Sequence, residues 1–181
     1  MIARLLLLCL SAIAAPAISG AANTDMHKIS LDGWRLVTDG VMGGVSQGEM
    51  ARTQRDGREC LQLSGSVSTR NNGGFIQLAR DLSDSELANI GQYHGVRLLV
   101  AGNEQAYNVH LRTTGLWFPW QAYRATFQAG QGWSTIELPF ETFQGYKTSQ
   151  KFEAGRLKRI GIVAIGRDFE ADLCVAEIGF Y

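Results

Sequence analysis

The sequence predicts an all-β chain folded as an antiparallel β-sandwich, with at most one or two short helices. Three observations point there. Apolar and polar residues alternate over many short segments, which is the period of a half-buried strand. Gly, Asn and Asp separate those segments at short intervals, as turns between strands require. A helix-start signature with a capping box occurs at Ser83. Many short strands without interleaved long helices argue for a sandwich rather than an alternating β–α fold.

The elements follow in chain order. Residues 34–38 read as a first strand, and residues 49–55 have the composition of two helical turns stopped by Asp56-Gly57. Residues 60–67 alternate with Leu61 and Leu63 inward, and residues 74–79 do so less strictly. Residues 96–101 are an almost continuous apolar run, which predicts a central strand. Residues 107–112 alternate cleanly, so Tyr107, Val109 and Leu111 face the core while Asn108, His110 and Arg112 share the opposite face. Residues 122–127, 133–138, 159–165 and 173–180 complete the strands. Turn residues lie at Asp56-Gly57, at 71–74, at Gly102-Asn103 and at 130–132.

Ser83-Asp84-Ser85-Glu86 predicts one short helix, with Leu87 and Ile90 on its apolar edge and Gly91 ending it. Pro119 and Pro139 fall at strand edges or ends, where a missing N–H is tolerated. Phe140 and Phe143 read as anchors that return a turn to the core.

Residues 1–22 read as a secretory signal peptide, and residues 23–181 as one domain. Arg4 is followed by an apolar run over 5–15 and then small residues to Ala22, with cleavage expected after Ala21 or Ala22. The run is shorter than the ~20 residues that span a bilayer, although an uncleaved anchor is the competing reading. Cys9 lies inside the apolar run and is a poor lipoprotein acceptor. The expectation is an exported protein, periplasmic or extracellular. Seventeen basic and seventeen acidic residues give a formal net charge of zero, and neither sign forms a run. That patterning speaks against nucleic acid, and against a membrane surface except through partners.

The densest motif is Asp39-Gly40-Val41-Met42-Gly43-Gly44-Val45-Ser46-Gln47-Gly48. Its second half fits the G-x-S-x-G pattern of serine hydrolases, which would make Ser46 a nucleophile. Asp81, Asp84, His94 and His110 would supply partners in the required chain order, but the β–α rhythm of such enzymes is missing.

The same stretch resembles the hallmark of the complex I intermediate-associated protein 30 (CIA30) family. Its motif residues here are Asp39, Gly40, Met42, Gly43, Gly44 and Ser46. Asn71-Asn72-Gly73-Gly74-Phe75 resembles the second signature, carried by Asn72, Gly73, Gly74 and Phe75, and Leu138-Pro139-Phe140-Glu141-Thr142-Phe143 resembles the third. The resemblance runs from about Asp25 to Tyr181. It implies a jelly-roll, galactose-binding-like sandwich without catalytic activity. The family is known in mitochondria as an assembly factor for NADH:ubiquinone oxidoreductase. A protein partner is therefore expected, such as a subunit of a respiratory or other envelope complex. The mitochondrial factor works on the matrix side, opposite to where a secretory signal delivers. On this reading residues 39–48 form a tight β-bulge loop with Met42 as an apolar plug, and residues 71–74 a turn with Phe75 packed behind it.

In jelly rolls of this kind an early strand often pairs with the last. Leu61 and Leu63, and likewise Leu173 and Val175, put Cys60 and Cys174 on outward faces, so the two can meet. An exported protein permits a Cys60–Cys174 disulfide, and separate, partly buried thiols are the alternative. No zinc-type spacing links His27, His94 and His110, and no metal site or cofactor is expected beyond a structural Ca²⁺. Galactose-binding-like domains often hold that ion, and Asp32 and Asp39 are its candidate ligands, with turn formation the competing reading. Glu49, Glu59, Glu137 and Glu141 are available for glycoside hydrolysis, but nothing in the sequence pairs two of them.

The candidate binding residues are Trp117, Trp120, Tyr123, Arg112, His110 and Asn108. Trp117 and Trp120 flank Pro119 in a loop, beside the polar face of the 107–112 strand. Aromatic plates next to polar side chains suit a carbohydrate, which makes a glycan the alternative ligand to a protein. Tryptophans folded back over the end of the sandwich are the competing structural reading.

Overall fold

The computed structural model describes residues 26–181, and the leader expected over 1–22 lies outside the described residues. Two six-stranded antiparallel sheets pack face to face as a jelly-roll sandwich. The strands are β1 (His27–Lys28), β2 (Arg35–Thr38), β3 (Gln47–Arg55), β4 (Arg58–Val67), β5 (Phe75–Asp81) and β6 (Gly95–Ala101). They continue as β7 (Gln105–Thr113), β8 (Ala122–Ala129), β9 (Ser134–Pro139), β10 (Gln144–Tyr146), β11 (Leu157–Ile165) and β12 (Phe169–Phe180). The first sheet runs β3-β4-β12-β6-β9 with β1 also on β12, and the second runs β10-β8-β7-β11-β5-β2.

The inward positions of the alternating segments form one core. Tyr107, Val109 and Leu111 of β7 are fully buried in it, facing Leu63, Leu98 and Leu173 among others. Phe143 is buried and Phe140 half-buried, and Phe140 packs 5.3 Å from Phe152 and 6.3 Å from Phe180, centroid to centroid.

Residues 49–55, expected as helical turns, belong to strand β3. Asp56 (φ 50°) and Gly57 (φ 74°) both take the left-handed region, which is the requirement of a two-residue hairpin turn. That turn sets Arg55 opposite Arg58, and the ladder then zips to Gln47 opposite Ser66. Nine cross-strand pairs with β4 override the local helical composition.

The single α-helix among the described residues, α1 (Asp84–Leu87), begins with the expected capping box but ends before Gly91. Asn89 takes a left-handed conformation (φ 58°) and starts a 3₁₀ turn over Ile90–Gln92 instead. Glu86 does more than cap. It accepts from Arg80 and from the N–H groups of Ser83 and Ser30, which ties the helix to β5 and to the chain entering β2.

Cys60 of β4 and Cys174 of β12 are joined by a disulfide across 114 residues, with Cα atoms 5.5 Å apart. Both point away from the core cluster, yet both are buried. Asp172, on the same outer face, is held by both oxygens on Arg55 and also accepts from Gln62.

Candidate binding cleft

The outer face of the second sheet is concave and carries a cleft of about 590 Å³. Its floor follows from the strand register. One row crosses the sheet as Arg124 on β8, His110 on β7, Gly161 on β11 and Ala79 on β5. The next row places Asn108, Val163, Gln77 and Val37 side by side, and all of these but Asn108 line the cleft. Gly161 and Ala79, with Ala122 of β8, leave the middle of the floor low, while larger side chains rise around it. A Cβ on Gly161 would collide with the Gln77 amide, so the glycine makes room for Gln77 to lie across the floor.

One wall carries Trp120, Gln121, Tyr146 and Lys147. Trp120 stacks on Phe118 with centroids 4.9 Å apart and planes 8° apart. The loop behind them is clamped: Arg112 donates to the carbonyls of Phe118 and Pro119, and the Gln121 amide oxygen accepts from the Phe118 N–H. Trp120 is 49% and Trp117 87% exposed, so the loop tryptophans are not folded back. Trp117 lies beyond the cleft lining.

The opposite wall is built by the two glycine-rich motifs. Asp39 opens a 3₁₀ turn, Asp39–Met42, that closes on Gly43 in the left-handed region (φ 86°). The Asp39 side chain is fully buried and accepts from the Ser46 N–H (3.0 Å), the Ser46 hydroxyl and the N–H groups of Gly74 and Phe75. Burial raises the Asp39 carboxyl, and these donors outweigh it, holding its pKa below the usual carboxylate value. Gly44 and Gly73 press directly on this carboxylate, and a Cβ on either would overlap it. The turn pushes Val41 (75% exposed) and Met42 (56% exposed) outward as the rim of the cleft, beside Asn72, Gly73, Gly74 and Phe75.

Several expectations are corrected by this geometry. Tyr123 is 1% exposed, faces the core, and donates its hydroxyl to the Lys151 carbonyl, because alternation on β8 turns it inward between Ala122 and Arg124. Met42 is an exposed rim residue, not a plug, and residues 39–42 form a 3₁₀ turn rather than a β-bulge. Ser46 is buried between that turn and β3, donates to Asp39 and accepts from the Ser68 N–H, so it lacks the strand–turn–helix setting of a nucleophile. Asp39 is ringed by N–H and O–H donors, the reverse of the oxygen cage that Ca²⁺ needs, and Asp32 is ion-paired with Arg52 at 2.6 Å. Asn108 faces outward as expected, but it accepts from Thr126 and lies outside the cleft lining.

His110 and Arg112 do line the cleft. Burial first, and then Arg124, push the His110 pKa down to about 4, so its imidazole is neutral at pH 7. His110 Nε2 and Arg112 Nε are buried without a partner among the described residues. Sequence reasoning had not singled out Tyr146, Lys147, Gln77 or Gly161. The short β10 that carries Tyr146 has only three residues, too few for a periodic signal.

A family model described as complex I intermediate-associated protein 30 (CIA30) matches residues 23–175. The chain belongs to the CIA30 family. Curated protein sequences provide no match. Among solved structures, the chain is similar to the family 11 carbohydrate-binding module of Clostridium thermocellum in complex with a β-1,3-1,4-mixed-linked tetrasaccharide. That likeness has a TM-score of 0.67 at 12% identity, over 83% of this chain and 89% of the module. The family 11 module of the same organism's cellulosomal cellulase Lic26A-Cel5E gives 0.66 at 12% identity, covering 86% and 92%. The family 30 module of its cellulase Cel9D-Cel44B gives 0.51 at 10% identity, covering 77% and 83%. At these identities the likeness is one of fold.

In this CIA30 chain the two glycine-rich segments, 39–48 and 71–75, are one physical unit. They meet at the Asp39 carboxylate and form a wall of the cleft. Residues 138–143 end β9 and return Phe143 to the core, and β10 follows with Tyr146 on the facing wall.

Proposed function

We propose that this protein is a non-catalytic glycan-binding module, and that the cleft of the second sheet is its binding site. The observation that carries this reading is the cleft itself: two aromatic rings, Trp120 and Tyr146, on one wall of an open 590 Å³ trough floored by His110, Gln77 and Gly161. Flat apolar faces beside fixed polar groups suit sugar rings, which present apolar C–H faces and hydroxyl edges. The fold shared with carbohydrate-binding modules supports it. An exported location and cleavage before a 23–181 domain belong to the same reading, and the Cys60–Cys174 disulfide supports export because such bonds persist in oxidising compartments.

The test is a glycan array probed with the folded protein and with Trp120→Ala and Tyr146→Ala. Binding that both variants lose, with melting temperature kept, is the expected result. Absence of binding to every glycan class would remove the reading.

A second reading is docking on a protein partner as an assembly factor, as the family name implies. It is favoured by Val41 and Trp117, which are exposed by 75% and 87% on the two sides of the cleft. A pull-down that Val41→Asp and Trp117→Ala abolish, from cells in which the respiratory NADH dehydrogenase is assembling, would support it. Unchanged assembly of that complex in a deletion strain would count against it.

A further inference from the structure

We propose that the cleft recognises an acidic glycan, one carrying carboxylates such as uronate residues, and that Arg112 and Lys147 contact the acidic group. The inference rests on the glycan reading above and adds the ligand's charge. The whole chain is electrically balanced, with seventeen cations and seventeen anions. The cleft is not. Its lining holds Arg112, Lys147 and Arg159 and no Asp or Glu.

Of these cations, Arg159 is satisfied by Asp81, with Nε 2.6 Å from the carboxylate. Arg112 has no carboxylate within ion-pair distance among the described residues. Its two terminal nitrogens donate to neutral carbonyls, and its Nε has no partner among the described residues. Lys147 and Arg124 also have no carboxylate partner among the described residues, and both lie against the ring of Tyr146, at 5.6 and 4.6 Å from its centroid. Two cations without an ion-pair partner among the described residues, Arg112 and Lys147, therefore line the Trp120–Tyr146 end of the trough, with Arg124 against Tyr146 just outside the lining. Burial and then the neighbouring Arg159 disfavour the charged form of Arg112 and lower its pKa, against a smaller opposing pull from Asp81. A carboxylate at that end would relieve the like-charge repulsion, and a guanidinium is suited to it. Cations held beside aromatic faces bind an acidic sugar by charge and ring stacking together, whereas a neutral sugar would leave the charge excess unused.

The test prints uronate-containing oligosaccharides beside their carboxyl-reduced, neutral counterparts and an acidic oligoglutamate peptide. Titration of the best binder at about 20 and 300 mM salt follows. The expected result is at least tenfold tighter binding to the acidic glycan than to its reduced counterpart, with the gap shrinking at high salt. Lys147→Gln and Arg124→Gln should each weaken the acidic ligand several-fold more than a neutral one. Arg112→Gln should do so more strongly. Because Arg112 also clamps the loop, the two other variants and the salt dependence carry the test if Arg112→Gln misfolds. Equal or tighter binding of the neutral sugars overturns the proposal and leaves the glycan reading standing. Binding of the peptide alone, or of nothing, overturns both.

Discussion

The carboxylate of Asp39 accepts the backbone N–H of Gly74 at 2.5 Å, 35 residues further along the chain. Through that bond and its contacts with Ser46 and Phe75, one buried anion organises two loops that are separate in sequence. The glycines around it are a consequence. Gly44 and Gly73 give the backbone access to the carboxylate, and Gly43 supplies the left-handed residue that ends the turn.

Asp39→Ala should destabilise the domain by about 3 kcal/mol, since it strands several buried N–H groups at once. Gly44→Ala and Gly73→Ala should be similarly harmful, because the added carbon would displace the carboxylate. Urea unfolding measures all three. A loss under about 0.5 kcal/mol for Asp39→Ala would show that the loops do not depend on this anion.

Acid should weaken the fold in two stages. The His110 pKa is depressed to about 4 from 6.5 by burial and then by Arg124, so its contribution is full above about 6.5 and is lost as pH falls towards 4. Glu86 follows. Burial raises it, but Arg80, Ser83 and Ser30 outweigh that and bring it from 4.5 to about 2. Its contribution, on the order of 3 kcal/mol, is present above about 4.5 and lost as pH falls through 2. Melting temperatures from pH 8 to 2 should show both slopes, the first absent in His110→Phe and the second in Glu86→Gln. Parallel curves for wild type and variants would refute the assignments.

Trp120→Ala and Tyr146→Ala should each cost about 1–3 kcal/mol of ligand affinity, or roughly ten- to a hundredfold, with little change in melting temperature. Trp117→Ala should cost much less, because Trp117 lies outside the cleft lining. Calorimetric titration separates the three. An equal loss for Trp117→Ala would move the site onto the loop and out of the trough.

Reduction of the Cys60–Cys174 bond should lower stability by about 2–4 kcal/mol, since it frees a loop of 114 residues in the unfolded chain. Guanidinium unfolding with and without reductant tests this, with Cys60→Ala/Cys174→Ala as the thiol-free control. A midpoint unmoved by reductant would mean that the bond does not constrain the unfolded state.

The strands of the core were legible because a half-buried strand must alternate, and the alternation of residues 60–67 and 107–112 is written in the side chains themselves. The family could also be read from the chain. So could the outward faces of Cys60 and Cys174, and the outward set of His110 and Arg112, since one inward neighbour determines the other face.

What the residues around the site do was decided by tertiary structure. Tyr123 adjoins the loop of Trp117 and Trp120 in the chain, but it follows the alternation of β8 and turns inward with Ala125 and Phe127. Residues 49–55 became a strand only because β4 offers a ladder to pair with. The cleft joins β2, β5, β7, β8, β10 and β11, brought together by sheet order rather than chain order, so Tyr146 and Lys147 could not be placed opposite Val41 and Met42 from sequence. Asp39 reads as a turn former or a cation ligand by its chemistry. Its role as an anion held by backbone donors depends on the arrival of Gly74, and a distant segment's arrival is what only the folded chain determines.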